Sequence, residues 1–195
     1  MTWRMPRRVL PPLAVLASLL LAAAPAPARH HRHRVHRHVG ACTSSHAPVR
    51  RATVARARNA TLCLLNRVRT RHGLRPLRLN HKLARVARLH SRDMVRRGYF
   101  DHNSLNGATP FQRILRTHYV PPNTSWSLGE NIGWGGGGHA DPAALVRMWM
   151  HSSGHRANIL SRSFRDIGIG IAPGTPLRAD RHSGATYTTD FGFHS

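Results

Sequence analysis

The chain has 195 residues, with 30 Lys or Arg against 7 acids and a formal charge of +23 when the 16 histidines are neutral. That length accommodates one domain of ordinary size plus a processing segment. Beyond the first 28 residues no apolar run is long enough to cross a bilayer, which excludes a polytopic membrane protein. No zinc finger, recognition-helix pattern or interleaved aromatics accompanies the charge, which excludes sequence-specific reading of nucleic acid.

Residues 1–28 read as a signal peptide. Arg4, Arg7 and Arg8 form a positive start, residues 9–21 an apolar stretch, and Ala26-Pro27-Ala28 a small-residue site with cleavage expected after Ala28. The remaining chain keeps 27 basic residues and all 7 acids, a charge of +20. A secreted, extracellular protein this basic is expected to adhere to anionic cell-wall or membrane surfaces, and as a monomer. Residues 29–50 form an Arg/His-rich tail and a linker from which no core can be built. Cleavage after Ala28 would leave Arg29, His30 and His31 at the new terminus. An α-amine, two backbone amides and the imidazole of His31 make a square-planar nitrogen set suited to copper, although such a tail needs no metal. Cys42 and Cys63 are the two cysteines of an exported chain and are expected to form one disulfide. It closes a loop of about 20 residues, worth roughly 3 kcal/mol in the chain-entropy account.

The folded domain is expected over residues 51–195. Residues 52–72 have helix-forming composition and end at Gly73, and residues 74–77 make a turn. Asn80 is positioned to cap a helix over residues 81–97, closed by Gly98, with Leu83, Val86, Ala87, His90 and Met94 on one face. Thr109-Pro110-Phe111-Gln112 has the form of a capping box opening a short helix to about residue 116. Asp141-Pro142 opens another to about residue 151, with Leu145, Met148 and Trp149 inward. Residues 166–172 and 185–191 are β-branched runs that read as adjacent strands. Helices around a small sheet make an α+β layered domain.

Glu130 is the only glutamate in the chain. It follows Gly129 in a packed, apolar segment after a loop and before the glycine-rich residues 133–138, so its carboxylate needs partners. With so few acids present those partners are Arg, His or backbone N–H groups. His102 and His155 each follow a helix, in what read as short loops where sites form. Two imidazoles and a carboxylate can hold a divalent cation, zinc being the natural choice, or act as an acid–base pair with an orienting carboxylate. A structural carboxylate bonding loop amides is the plainer alternative. His90 reads as a core-edge histidine, and His118, His139, His151, His182 and His194 as surface ones.

Several segments together carry a resemblance: Leu65-Asn66-Arg67-Val68-Arg69, Gly73-Leu74-Arg75-Pro76-Leu77, Phe100-Asp101-His102, Gly129-Glu130-Asn131-Ile132, the run from Trp149 through Ser153-Gly154-His155-Arg156-Ala157-Asn158 to Leu160, and Gly168-Ile169-Gly170. In that order the chain resembles a bacterial member of the CAP superfamily, the cysteine-rich secretory proteins, antigen 5 and pathogenesis-related proteins, whose module is also called the SCP domain. The resemblance implies a three-layer α-β-α sandwich, export, and a cleft in which His102 and Glu130 occupy family positions. The larger eukaryotic members carry two His and two Glu there. This chain has no second Glu, and Tyr187-Thr188-Thr189-Asp190-Phe191 only echoes the family's GHYTQ-type strand, so zinc loses one ligand. Two functions remain open: a non-catalytic extracellular domain binding a small ligand in its cleft, or a peptidase-like hydrolase using His102 or His155 with Glu130. No GxSxG elbow or Cys–His pair supplies a nucleophile near Ser152 and Ser153.

Overall fold

The computed structural model describes residues 41–50, 53–177 and 184–195. The signal peptide, the tail with its Arg29, His30 and His31 set, and His182 lie outside the described residues. Helix α1 (Val54–Arg71) ends as Gly73 turns with φ of 69°. Asn66 then holds the following turn by bonding both the N–H and the C=O of Leu77, at 2.7 and 3.0 Å. Strand β1 (Arg78–Leu79) leads into helix α2 (His81–Arg97), where the Asn80 side chain caps Lys82 and Leu83 and Gly98 closes the helix in the left-handed region. Helix α3 (Pro110–Leu115) starts with the expected capping box, and α4 (Pro142–His151) with the Asp141 cap.

Strands β2 (Trp126–Gly136), β3 (Asp166–Pro173) and β4 (Gly184–His194) join β1 in a mixed sheet of order β1-β3-β4-β2. β1 runs parallel to β3, and the other neighbours are antiparallel. The alternation in β3 builds the layers. Ile167, Ile169 and Ile171 point to one face and pack with Leu65, Trp149 and Ile159 of the layer formed by α1, α4 and a short helix α5 (Ser153–Leu160). Burial of each is worth about 1.5–3 kcal/mol. Gly168 and Gly170 point to the other face, where any Cβ would overlap the backbone of Leu83 and Ala87 in α2. The architecture is an α+β sandwich with the sheet between two helical layers.

Cys42 and Cys63 are bonded to each other, which ties the segment before α1 to that helix. One segment had no element assigned from sequence, and one expectation needs correction. Glu130 lies in strand β2. Four glycines depress that strand's propensity, but residue-by-residue pairing with β4 overrides it. His155 lies inside helix α5 (Ser153–Leu160), a segment that opens with Ser and Gly and lacks a side-chain cap. Tertiary contacts stabilise this short helix. The buried guanidinium of Arg69 donates to the carbonyls of Ile159 at 2.7 Å and Ser161 at 2.9 Å, neutralising the negative end of the helix.

Gly168→Ala is expected to destabilise the domain by at least about 2 kcal/mol, because the added methyl meets backbone that cannot move aside. Urea denaturation measures the difference. A loss within error of zero would mean that α2 does not rest on β3.

Candidate functional site

Strand β2 is an edge strand whose alternate residues serve different layers. Gly129 and Gly133 face α4 and α5, where a Cβ would crowd Phe164 at 2.9 Å and the indole nitrogen of Trp149 at 2.9 Å. Asn131 shares that side. Glu130 faces the α2 and α3 layer with only 2% of its side chain exposed.

Both carboxylate oxygens of Glu130 are engaged. Nδ1 of His102 donates to Oε1 at 2.8 Å, and Nη2 of Arg113 donates to Oε2 at 2.6 Å. Arg113 also donates through Nη1 to the carbonyls of His102 at 2.7 Å and Ala108 at 2.9 Å, so one guanidinium fixes the acid and the loop beside it. The capping box of α3 sets where Arg113 emerges, four residues after Thr109. His90, buried on α2, donates from Nε2 to the Asp101 carbonyl at 3.0 Å and holds the other end of the loop. The His102 ring remains 48% exposed, with Nδ1 turned to the acid.

His155 reaches this neighbourhood from α5 without bonding Glu130. Asn131 donates to the His155 carbonyl at 3.1 Å, and Asn158 donates to the Glu130 carbonyl at 3.1 Å and to Asn131 Oδ1 at 2.8 Å. These amides stitch α5 to β2. The His155 ring lies 6.5 Å from that of Trp149, and its Nδ1 is buried with no hydrogen-bond partner among the described residues. Of the expected surface histidines, His118, His139 and His151 are exposed, and His194 packs edge-on against Tyr119.

Two contributors were not singled out from sequence. Arg113 belonged to the class of partner that a buried lone glutamate requires, but nothing distinguished it among 29 arginines. Asp190 pairs with Glu130 across β2 and β4, is fully buried, and receives no donor from the described residues. A signal existed, since it is an acid within a run of strand residues, Tyr187-Thr188-Thr189-Asp190-Phe191, that had no partner to offer it.

Burial pushes the Asp190 carboxyl well above its ordinary range, and the charge of Glu130 pushes it further. The two carboxyl groups face each other across β2 and β4, so the charge on one opposes ionisation of the other. The bond to Glu130 raises the His102 pKa above its ordinary value, against the opposing pull of desolvation. Burial lowers that of His155, and repulsion from His102 lowers it further. The two imidazoles are thus driven apart in proton affinity, His102 upward and His155 downward.

A divalent ion does not fit. One Glu130 oxygen is held by a guanidinium, whose charge repels a second cation, and no hydrogen bond joins His155 to the acid. Among the described residues no group of three or more His, Cys, Asp or Glu converges to hold an ion. The zinc set of His102, Glu130 and His155 is corrected accordingly.

Nuclear magnetic resonance titration is expected to show His102 titrating above the ordinary imidazole value and His155 below it. Glu130→Gln should bring the His102 midpoint down. The raised His102 value stabilises the fold at acid pH, and this contribution is lost as pH rises through the folded-state pKa. Asp190 has the same sign from a lower starting point. The native carboxyl keeps a proton that the unfolded chain releases above about pH 4, so stability falls as pH rises from there. Asp190→Asn has no proton to lose. Its stability relative to the parent chain, measured by urea denaturation, should therefore improve between about pH 4 and pH 7, and a constant difference would mean Asp190 is ionised.

The chain is similar to several bacterial proteins. It is 35% identical to the uncharacterized protein YkwD of Bacillus subtilis over 128 residues, 66% of this chain and 44% of that one. A Bacillus anthracis extracellular protein containing an SCP domain is 28% identical, with a TM-score of 0.57, over 74% of this chain and 44% of its own. The chain spans less than half the length of either relative. An outer surface protein of Borrelia burgdorferi, 19% identical with a TM-score of 0.55 over 68% of this chain and 88% of its own, shares the fold. Residues 62–189 match the family described as the cysteine-rich secretory protein family, CAP. That match contains the whole constellation of His102, Arg113, Glu130 and His155, and the chain belongs to the CAP family.

Proposed function

We propose that this protein is an exported, non-catalytic binding domain that holds to the anionic cell envelope and takes a ligand at His102. One observation carries the reading. Each oxygen of Glu130 accepts a hydrogen bond from a cationic or protonatable side chain, and only 2% of the side chain is exposed, so the acid is poorly placed to meet an ion or activate water. It acts instead as an internal counter-charge. The outward-facing group is an exposed imidazole with a raised affinity for its proton, suited to donate to an oxygen acceptor on a ligand. The loop and helix that carry His102 and Arg113 also expose Phe100, Leu105 and Phe111, which supply apolar contact beside that donor. Export is supported by the signal-like residues 1–28, by the disulfide and by the extracellular SCP relative. Among the described residues no helix is long and apolar enough to cross a membrane.

The test combines binding and turnover. The purified protein is expected to co-sediment saturably with cell-wall sacculi, less so after their anionic polymers are removed, and to leave a fluorogenic peptide library uncleaved. Cleavage that disappears in Glu130→Gln would replace this reading with the hydrolase.

A further inference from the structure

A groove runs along helix α2. It comprises two cavities of about 910 and 450 Å³ that share Val54, Arg88 and Ile171 and so form one continuous channel between α2, the start of α1 and strand β3. Ile169 and Ile171 contribute an apolar floor. The walls are cationic. Arg85, Arg88, Arg92 and Arg96 recur every three or four residues on α2, which sets them in one stripe with a spacing of about 5–6 Å. All four are exposed.

Like charges at this spacing destabilise a helix, and the groove does little to offset them. Its one acid is Asp93, which already accepts from Tyr99 at 2.8 Å and Arg96 at 3.3 Å. Arg85, Arg88 and Arg92 make no ion pair among the described residues, and across the groove the Nε of Arg58 is buried without a hydrogen-bond partner. A row of unpaired guanidiniums over a concave channel calls for an anion with repeating charge, since a single phosphate would engage one or two of them.

We propose that this groove binds a linear phosphodiester polymer of the polyol-phosphate kind, its successive phosphates pairing with Arg85, Arg88, Arg92 and Arg96. The proposal rests on the envelope-binding reading and names the polymer and the surface that holds it. Three features select this occupant. The channel is concave and fits a chain, whereas a flat bilayer would touch only its rims. No Phe, Tyr or Trp lines it, so the bases of a single-stranded nucleic acid find nothing to stack on. At one end it is lined by Ser104, Asn106 and Arg113, which brings a bound chain to the loop carrying His102.

Fluorescence anisotropy of the full chain with labelled poly(glycerol phosphate) tests the idea. Binding should weaken steeply with salt, as release of counterions requires. Arg88→Glu combined with Arg92→Glu should lower affinity about tenfold or more. Arg75→Glu with Arg162→Glu, the same charge change at exposed positions outside the groove, should stay within about twofold. Arg88→Gln with Arg92→Gln gives a milder version of the same loss and guards against misfolding, which circular dichroism melting checks. Equal losses in the groove and control pairs would overturn the site and leave only net charge. Competition by single-stranded DNA as strong as by poly(glycerol phosphate), or equally tight binding to anionic lipid vesicles, would overturn the ligand. If the groove variant still co-sediments with sacculi as well as the parent chain, the groove inference fails while the envelope reading stands. If the parent chain binds poly(glycerol phosphate) but not sacculi, the envelope reading fails alone.

Discussion

Helix α2 lies directly on strand β3 because Gly168 and Gly170 leave no side chain between them. The same strand turns its three isoleucines to the opposite layer, so one alternating segment provides a close backbone contact on one face and a hydrophobic core on the other. This contact sets the depth at which α2 sits, and with it the position of everything that helix carries. His90 reaches the loop before His102, Ser91 bonds Thr188 of β4 at 2.8 Å, and the arginines at positions 85, 88, 92 and 96 turn outward. A bulkier residue in β3 would lift α2 and loosen all three together.

The candidate site is organised around charge in a place with little water. Glu130 is buried, and a buried carboxylate is tolerable only when opposite charge and hydrogen bonds surround it. Arg113 and His102 meet that requirement, and the same burial and the charge of Glu130 raise the pKa of Asp190, its neighbour across the sheet. Arg113 ties the acid to the loop of residues 102–108, so the electrostatic solution and the loop conformation are one arrangement. The result is a fixed base for an exposed imidazole. Catalysis by the acid would require one of its oxygens to be free.

Asn131 and Asn158 show how the candidate site is assembled from elements that have little stability alone. α5 is eight residues long, starts with Ser-Gly and has no side-chain cap, yet it is held at both ends. Asparagine amides join it to β2, and Arg69 gathers the carbonyls at its other end. His155 owes its place beside Trp149 to these bonds.

How much of this was legible in the sequence depended on how local the cause was. Caps and stops are set within a few residues, and Asn80, Gly98, Thr109-Pro110 and Asp141-Pro142 marked helix boundaries that the structure keeps closely. The alternation of residues 166–172 announced a strand, and a lone glutamate in an apolar stretch announced a buried acid. The signals failed where the cause was distant in the chain. β2 shows no strand pattern in the sequence, because only β4, 48 to 68 residues later in the paired register, supplies the partners that extend it. Gly129 and Gly133 are there for side chains of α4, α5 and the segment beyond, which no local pattern contains. Arg113 and Asp190 lie 17 and 60 residues from Glu130, and only the sheet register and the packing of α3 bring them to it. The sequence by itself determined α1 to α4, though not α5, and that Glu130 needs cationic company. The tertiary structure decided which cation it has, because that choice depends on distances between elements, and those are set by close backbone contacts such as α2 on β3.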